Sequence, residues 1–229
     1  MLAFSNPNFR TSVPALFLNA NLASPIKFLL YPATSGGPGG DNGVRVADVN
    51  GDQFQDIIQG IDSFAVPGTG TYDAYLNNLG TGWTHNTGWS PAYGMTRVGE
   101  TGDYGGRVLD LNGDGLPDWM IQNGNTNFTQ INNGSSFSST VTTWNTPVNW
   151  ENRLARPADI NSDGLPDMMY SWWNSNFTAG LDTAYLNTGT GSWTSETSLG
   201  TPVHFGNNQD FGVRFLDLNG DGLTDTFVS

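Results

Sequence analysis

Residues 110–118 read Asp-Leu-Asn-Gly-Asp-Gly-Leu-Pro-Asp, with acid or amide oxygens at the first, third, fifth and ninth places. Oxygen side chains at alternate places of a tight loop converge on one point. The backbone carbonyl of the seventh residue can join them, and the ninth carboxylate closes the set. Such an all-oxygen cage suits a hard cation, above all Ca2+ with its six to eight ligands. The stretch occurs four times, starting at Asp48, Asp110, Asp159 and Asp217. The candidate ligands are Asp48, Asn50, Asp52, the Phe54 carbonyl and Asp56 in the first loop, and Asp110, Asn112, Asp114, the Leu116 carbonyl and Asp118 in the second. In the third they are Asp159, Asn161, Asp163, the Leu165 carbonyl and Asp167, and in the fourth Asp217, Asn219, Asp221, the Leu223 carbonyl and Asp225. Glycine at the sixth place permits a sharp turn with positive φ. Gln53 stands there in the first loop, so a positive φ at that place predicts strain and the weakest of up to four calcium sites. Ser162, at the fourth place of the third loop, reads as tolerable.

The first half of each loop has the EF-hand spacing, but the second half does not. Gln59, Ile121, Tyr170 and Val228 occupy the twelfth place, where that loop needs Glu, and the flanks are strand-like. A turn rich in Asp and Asn, with no metal, is the plain alternative for one loop alone. Four loops argue for cations: they hold twelve of the chain's twenty-one acids, and four Ca2+ would bring the formal net charge from −13 to −5.

The elements that must position these loops also recur. A short strand enters each loop (GVRVA, GRVLD, LARPA, GVRFL) and a second leaves it (DIIQG, DWMIQ, DMMYS, DTFVS). A third segment carries a Tyr-Leu-Asn pattern: DAYLNN at 73–78, NFTQINN at 127–133, DTAYLN at 182–187 and ALFLNA before Asn21. An aromatic segment follows (GTGWTHNTGW, SSFSSTVTTW, GTGSWTSETS). Four short strands per unit, joined by Gly, Asn, Asp and Ser turns, make one antiparallel sheet. Repetition of that sheet at roughly fifty to sixty residues predicts an all-β fold, a β-propeller of four blades, over a β-sandwich with accidental repetition. The reading is one domain, 1–229, with repeats at about 36–90, 104–145, 153–196, and 211–229 completed by 1–35. The third and fourth strands missing after 211–229 stand at the start of the chain, as PALFLNA and PIKFLLY, so the termini are expected to share one blade. Closure within one chain and closure between chains both remain open.

Composition bounds the function. The chain has 229 residues and 30 Gly, only 8 Lys plus Arg, and a net charge of −13, which argues against nucleic acid. Eight Trp, seven Tyr and thirteen Phe supply a core. No apolar run approaches the roughly eighteen residues of a membrane span, and MLAFSNPNFR lacks the features of a signal peptide. Zero cysteines exclude disulfides and thiolate chemistry. Asn127, Asn133 and Asn176 begin glycosylation triplets, for which chance is the preferred source in so Asn- and Thr-rich a chain.

The stretch FGVRFLDLNGDGLTD at 211–225 resembles the FG-GAP/VCBS calcium-binding repeats of integrin α-chain propellers and large bacterial surface proteins. YLNTGTGSW at 185–193, with GVR and the acidic loop, looks most like repeats in Rhs- and insecticidal-toxin-type bacterial proteins. The resemblance implies a propeller in which the loop metal sits between the first two strands of a blade and stiffens it, while partners bind the opposite face. Integrin-like rings have seven blades; this chain supplies sequence for four.

Arg45, Arg107, Arg156 and Arg214 each stand three residues before an acidic loop, with Asp41, Asp103 and Asp210 four residues before three of them and Asn152 before the fourth. A ring of Arg and Asp at a channel mouth is a candidate site for an anionic or sugar ligand. An internal ion-pair ring that sets blade spacing is the preferred reading. Trp83, Trp119, Trp144 and Trp193 recur at blade positions and read as core, whereas Trp89, Trp150, Trp172 and Trp173 are candidates for an exposed aromatic surface. No Gly-x-Ser-x-Gly elbow and no phosphate-cradling loop is present, and His85 and His204 lie in unrelated contexts. The chain therefore reads as a non-enzymatic, calcium-stabilised module for recognition or adhesion outside the cell or at its surface, where such loops bind calcium at about 10⁻⁴–10⁻³ M. Its partner would be a protein or a carbohydrate. The second reading is a structural or self-assembling subunit, a homo-oligomer through the split blade or a piece of a larger Rhs-type protein. A propeller-based glycan-active enzyme using the spare acids Glu100, Asp103 and Glu151 is the weakest of the three.

Overall fold

The computed structural model of the chain describes residues 23–26, 42–63, 70–97, 105–123, 126–139, 144, 148, 155–173, 180–199, 204–205, 211–221 and 223–228. All regular structure there is β-strand apart from two short 3-10 turns, at Thr87–Trp89 and Thr197–Leu199, and no α-helix occurs among the described residues. Among the described residues no helix is long and apolar enough to cross a membrane.

Four antiparallel units follow one another. In unit 1, β1 (Val44–Ala47), β2 (Asp56–Asp62), β3 (Gly70–Asn77) and β4 (Trp83–His85) pair in chain order. A fifth strand, β5 (Thr96–Arg97), runs parallel to β2 through Ile61↔Thr96. Unit 2 has β6 (Gly106–Leu109), β7 (Asp118–Asn123) and β8 (Thr126–Gln130), and among the described residues its expected fourth strand shows one bridge, Asn132↔Phe137. Unit 3 repeats the four-stranded order with β9 (Ala155–Ala158), β10 (Asp167–Trp173), β11 (Gly180–Asn187) and β12 (Trp193–Glu196). Unit 4 has β13 (Val213–Leu216) and β14 (Asp225–Val228). Of its expected outer strands, PALFLNA lies outside the described residues, and of PIKFLLY only Pro25 and Ile26 are described, in a bend.

The register is the same in every unit. The residue before each acidic loop faces the ninth-place Asp: Ala47↔Asp56, Leu109↔Asp118, Ala158↔Asp167 and Leu216↔Asp225. The repeat read from sequence is thus a repeat of structure, down to single pairs. All seven residues of β2, including Asp56, Gln59 and Asp62, are buried, as expected of an inner strand covered on both faces.

The core lies in layers between neighbouring units. Val49, Ile58 and Ala74 of unit 1 pack with Trp119, Ile121 and Phe137 of unit 2. Leu111 and Met120 of unit 2 pack with Ala155 and Met168 of unit 3, and Met169 of unit 3 with Val213 of unit 4. The sheets of units 2 and 3 carry apolar residues on both faces because each packs against a neighbour on either side. Trp119 and Trp144 are buried as expected, and Trp83 and Trp193 are half-buried. Trp89 is a correction: it is only 5% exposed, seated in the first layer with its indole N–H directed at Asn132 Oδ1, 3.3 Å away. The 3-10 turn after β4 carries it inward, and strand periodicity cannot register such a turn. Trp172 is exposed, as expected; Trp150 lies outside the described residues.

Candidate functional site

Each acidic loop is built by its own side chains folding back onto its backbone. Asp48 Oδ1 accepts from the amides of Gly51 (2.8 Å) and Asp52 (3.1 Å), and its Oδ2 from Gln53 (2.7 Å). Asp110 does the same with Gly113, Asp114 and Gly115. Asp159 accepts from Asp163 and Gly164, and Asp217 from Gly220 and Asp221. The third-place Asn donates from Nδ2 to the fifth-place Asp in every loop, at 2.9–3.0 Å. The fifth-place Asp accepts the seventh-place amide, of Phe54, Leu116, Leu165 and Leu223 respectively.

This wrapping places two left-handed residues in each of the first three loops. The sixth place has φ +73° at Gln53, +88° at Gly115 and +87° at Gly164. The fourth place is also positive: +75° at Gly51, +75° at Gly113, +61° at Ser162 and +79° at Gly220. Gln53 therefore carries the strain read from its position. Ser162 carries strain as well, contrary to its reading as tolerable, because the fourth place makes the same demand as the sixth.

The ninth-place Asp has a different environment. Asp56, Asp118 and Asp167 are fully buried, and each ties its own loop to the strand it begins and to the Tyr-Leu-Asn-type segment. One carboxylate oxygen accepts the amide of the loop's second residue: Val49 (3.0 Å), Leu111 (2.9 Å) and Ile160 (3.1 Å). The other accepts the amide of the Tyr-Leu-Asn-type asparagine: Asn77 (2.8 Å), Asn132 (2.7 Å) and Asn187 (2.8 Å). Burial pushes the carboxyls of Asp56 and Asp118 up to about 6, and that of Asp167 upward, against the pull of these amides; the other loop acids add to the rise.

The donor set fits a hard cation in kind. It is all oxygen, and an ionised carboxylate has about four lone-pair positions, so an oxygen holding one amide keeps capacity for a metal. Among the described residues, however, no three acidic or histidine side chains are gathered in a ready metal cluster. The amides therefore stabilise the carboxylates first, and the ninth-place Asp is a brace of its sheet whatever else it holds.

The same asparagines tie the units together, a role that sequence reasoning missed. Asn132 Nδ2 donates to the Val49 carbonyl of unit 1 (2.7 Å), and Asn187 Nδ2 to the Leu111 carbonyl of unit 2 (2.8 Å). The seventh-place leucine packs beside the same contact. A Cβ on Gly51 would lie 3.1 Å from Leu116, and one on Gly113 would lie 2.9 Å from Leu165. Units 2 and 3 thus each present an Asn and a Leu to a carbonyl and a glycine of the unit before them. The recurrence of Asn was the available signal.

Arg45, Arg107, Arg156 and Arg214 occupy one register, opposite Ile58, Met120, Met169 and Phe227. Arg45, Arg107 and Arg214 donate from Nη1 to the preceding carbonyl, and Arg156 lies 5.8 Å from the Phe205 ring centroid. Asp41, Asp103 and Asp210 lie outside the described residues. At the end of β10 away from the loop, Trp172 is 41% exposed opposite the exposed Leu181.

Two loops and the sheet between them fall in the segment that matches a family model. Residues 110–170 are an FG-GAP-like repeat. The matched segment runs from the first ligand-type residue of the second loop through β7, β8, β9 and the third loop to the middle of β10, so it spans the distance from one acidic loop to the next. No curated protein matches the chain. A solved structure of an Agrocybe aegerita lectin, described by its specific recognition of non-reducing terminal N-acetylglucosamine, is similar in fold. The TM-score is 0.57 at 18% identity, over 80% of this chain and 45% of the lectin. This chain therefore spans less than half of that lectin's length.

Proposed function

We propose that the chain is a calcium-stiffened β-propeller module that binds a glycan or protein ligand in recognition or adhesion outside the cell. The observation that carries this reading is the FG-GAP-like repeat at 110–170, set in a fold similar to that of a glycan-recognising lectin. The four units are its blades. In each loop, the carboxylates at the first and fifth places and the amide oxygen at the third would hold a calcium ion, with the seventh-place carbonyl as a further donor. Bound calcium would supply positive charge that offsets the loop carboxylates. The ninth-place Asp keeps the second-residue amide and the asparagine amide together, so the loop and the third strand move as one body. Ligand would meet the end away from the loops, where Trp172 offers an exposed ring for stacking on a sugar or a partner side chain.

The test is a glycan array followed by calorimetry, with glycans ending in N-acetylglucosamine as first probes, in calcium and in chelator. Binding that weakens at least tenfold in chelator or in Trp172→Ala, with the variant still folded, supports the reading. Calcium-independent binding untouched by Trp172→Ala removes both the metal and the proposed face from it.

The second reading, a self-assembling subunit or a piece of a larger Rhs-type surface protein, is favoured by one feature. Leu216, Leu218, Leu223, Phe227 and Val228 of unit 4 are all 45% or more exposed.

A further inference from the structure

Asparagine followed by glycine is the pair most open to self-modification, because glycine has no side chain to shield its nitrogen from the neighbouring amide. The chain has six such pairs, at Asn42, Asn50, Asn112, Asn123, Asn133 and Asn219. Gly124 lies outside the described residues, and the other five pairs are described. In the reaction the glycine nitrogen gives up its proton and attacks the side-chain Cγ, and negative charge develops on Oδ1. The Cγ–Nδ2 bond then breaks, Nδ2 leaves as ammonia with the proton returned to it, and a succinimide ring remains. Water opens the ring at one carbonyl or the other, to give Asp or isoAsp. Water is the only co-reactant.

Four of the five described pairs are held against this step. Asn42 is 8% exposed, and Gly43 lies so close to the Gly60 carbonyl that a Cβ would stand 2.0 Å from its oxygen. The other three are the third and fourth places of the first, second and fourth acidic loops. There the glycine N–H donates to the first-place carboxylate, at 2.8 Å for Gly51 and Gly113 and 2.6 Å for Gly220. The Asn Nδ2 donates to the fifth-place carboxylate at 3.0 Å, and Oδ1 accepts the fifth-place amide. Nucleophile and leaving group are both tied, and charge developing on Oδ1 meets the repulsion of two carboxylates. Asn133 is held differently. It is exposed, in the turn after β8 that its own N–H closes onto the Ser136 carbonyl at 3.1 Å. Its Oδ1 accepts from the Ser135 amide (3.0 Å), the Ser135 hydroxyl (2.8 Å) and the Ser136 amide (3.0 Å). Three donors thus converge on the oxygen that takes up charge, as in an oxyanion hole. The Gly134 N–H donates to the neutral Asn132 Oδ1 at 3.0 Å, a weaker hold than a carboxylate. Among the described residues Asn133 Nδ2 has no hydrogen-bond partner, so ammonia can leave into solvent.

We propose that Asn133 is a site of spontaneous deamidation, driven by the hydrogen bonds of its turn, and that its products loosen the joint between units 1 and 2. Both neighbours of the pair belong to that joint. Asn132 donates from its amide to Asp118 Oδ1 and from Nδ2 to the Val49 carbonyl of unit 1, each at 2.7 Å. Phe137, at the far end of the turn, is buried in the layer between the two units, and its N–H donates to the Gly88 carbonyl of unit 1 at 2.8 Å. IsoAsp routes the backbone through Cβ and lengthens the turn between these two anchors. Asp adds a negative charge to it. The proposal depends on neither calcium nor a ligand.

The test incubates the whole chain at pH 8 and 37 °C, folded and in concentrated urea, and follows amide-to-acid conversion at each asparagine by tandem mass spectrometry. In the folded chain Asn133 is expected to convert at least tenfold faster than Asn50, Asn112 and Asn219, in calcium and in chelator. In urea the four rates are expected to converge to within threefold, because the fold and not the dipeptide sets the ranking. Ser135→Ala removes the hydroxyl donor and keeps both backbone donors; it is expected to slow Asn133 at least threefold with an unchanged circular dichroism spectrum. The aged parent is expected to melt below the fresh chain, while Asn133→Gln, which closes the ring far more slowly, melts after equal ageing as it did when fresh. Conversion at Asn133 no faster than in the loops would overturn the proposal. So would a ranking that urea leaves as it was, or a Ser135→Ala rate equal to or above that of the parent. A chain converted at Asn133 that melts as the fresh chain does would overturn the part that concerns the joint.

Discussion

Replacing Asn187 by Ala removes the Nδ2 donor to the Leu111 carbonyl (2.8 Å) and the Oδ1 acceptor of the Gly189 amide (3.0 Å), and keeps the backbone bond to Asp167. Asn187 is 2% exposed and Leu111 0%, so water cannot readily replace the lost donor. A buried carbonyl left without its partner costs about 1–3 kcal/mol, and the half-buried Gly189 amide adds about 1 kcal/mol or less, for a total of about 1–4 kcal/mol. In a domain of this size that is a fall in melting temperature of roughly 2–16 °C. Asn77→Ala is the internal control. Its Nδ2 reaches only an exposed carbonyl, at 3.3 Å, and the change is expected to cost about 1 kcal/mol or less in the monomeric chain. Thermal unfolding followed by circular dichroism, in dilute solution, measures both. Equal shifts for the two variants, or a shift under 1 °C for Asn187→Ala, would refute the argument that these asparagines hold the units together.

Other expectations follow from the loops. Gln53→Gly, which removes a side chain at φ +73°, is expected to stabilise the chain by about 0.5–1 kcal/mol in chemical denaturation and to tighten the first loop's metal binding. Gly113→Ala places a Cβ 2.9 Å from Leu165 at φ +75° and is expected to cost about 1–2 kcal/mol, against a smaller loss for Gly220→Ala, where the space is open. Asp56 and Asp118 are raised from the ordinary 3.8 to about 6. Between those values the folded chain holds protons that the unfolded chain has released, so the contribution of these two groups to metal-free stability is fully present below about pH 4 and is lost as pH rises through 6, by about 3 kcal/mol for each group. Saturating calcium favours the ionised carboxylates, so the denaturation midpoint measured from pH 4 to 7 is expected to fall in chelator and to flatten or reverse in calcium.

Much of the fold was legible because the repeat is carried by local signals. The alternation of Asp and Asn around glycine, the strand entering the loop and the strand leaving it all lie within about twenty residues. Each unit forms them in the same register, as Ala47↔Asp56 and Leu216↔Asp225 show. The double demand for positive φ was half legible: glycine at the sixth place was read, but Ser162 hid the same need at the fourth. What joins one unit to the next was not legible. Asn132 and Val49 are 83 residues apart and Asn187 and Leu111 are 76 apart, and no local pattern says which carbonyl an asparagine will find. The parallel strand Thr96–Arg97 and the inward course of Trp89 depend on the connection between units, where strand periodicity stops. The ninth-place Asp was read as a metal ligand from its spacing. Its part in bracing the sheet depends on the asparagine of β3, of β11 or just after β8, brought to it only by folding.

The central claim is that these loops are calcium sites, and native mass spectrometry of the chain in calcium and after chelation tests it most directly. The account predicts up to four calcium ions per chain, lost on chelation, with the loop at Asp48 emptying first and Gln53→Gly delaying its loss. A chain that carries no calcium in either condition, with unchanged thermal stability, would contradict it and leave the loops as turns held by their own amides.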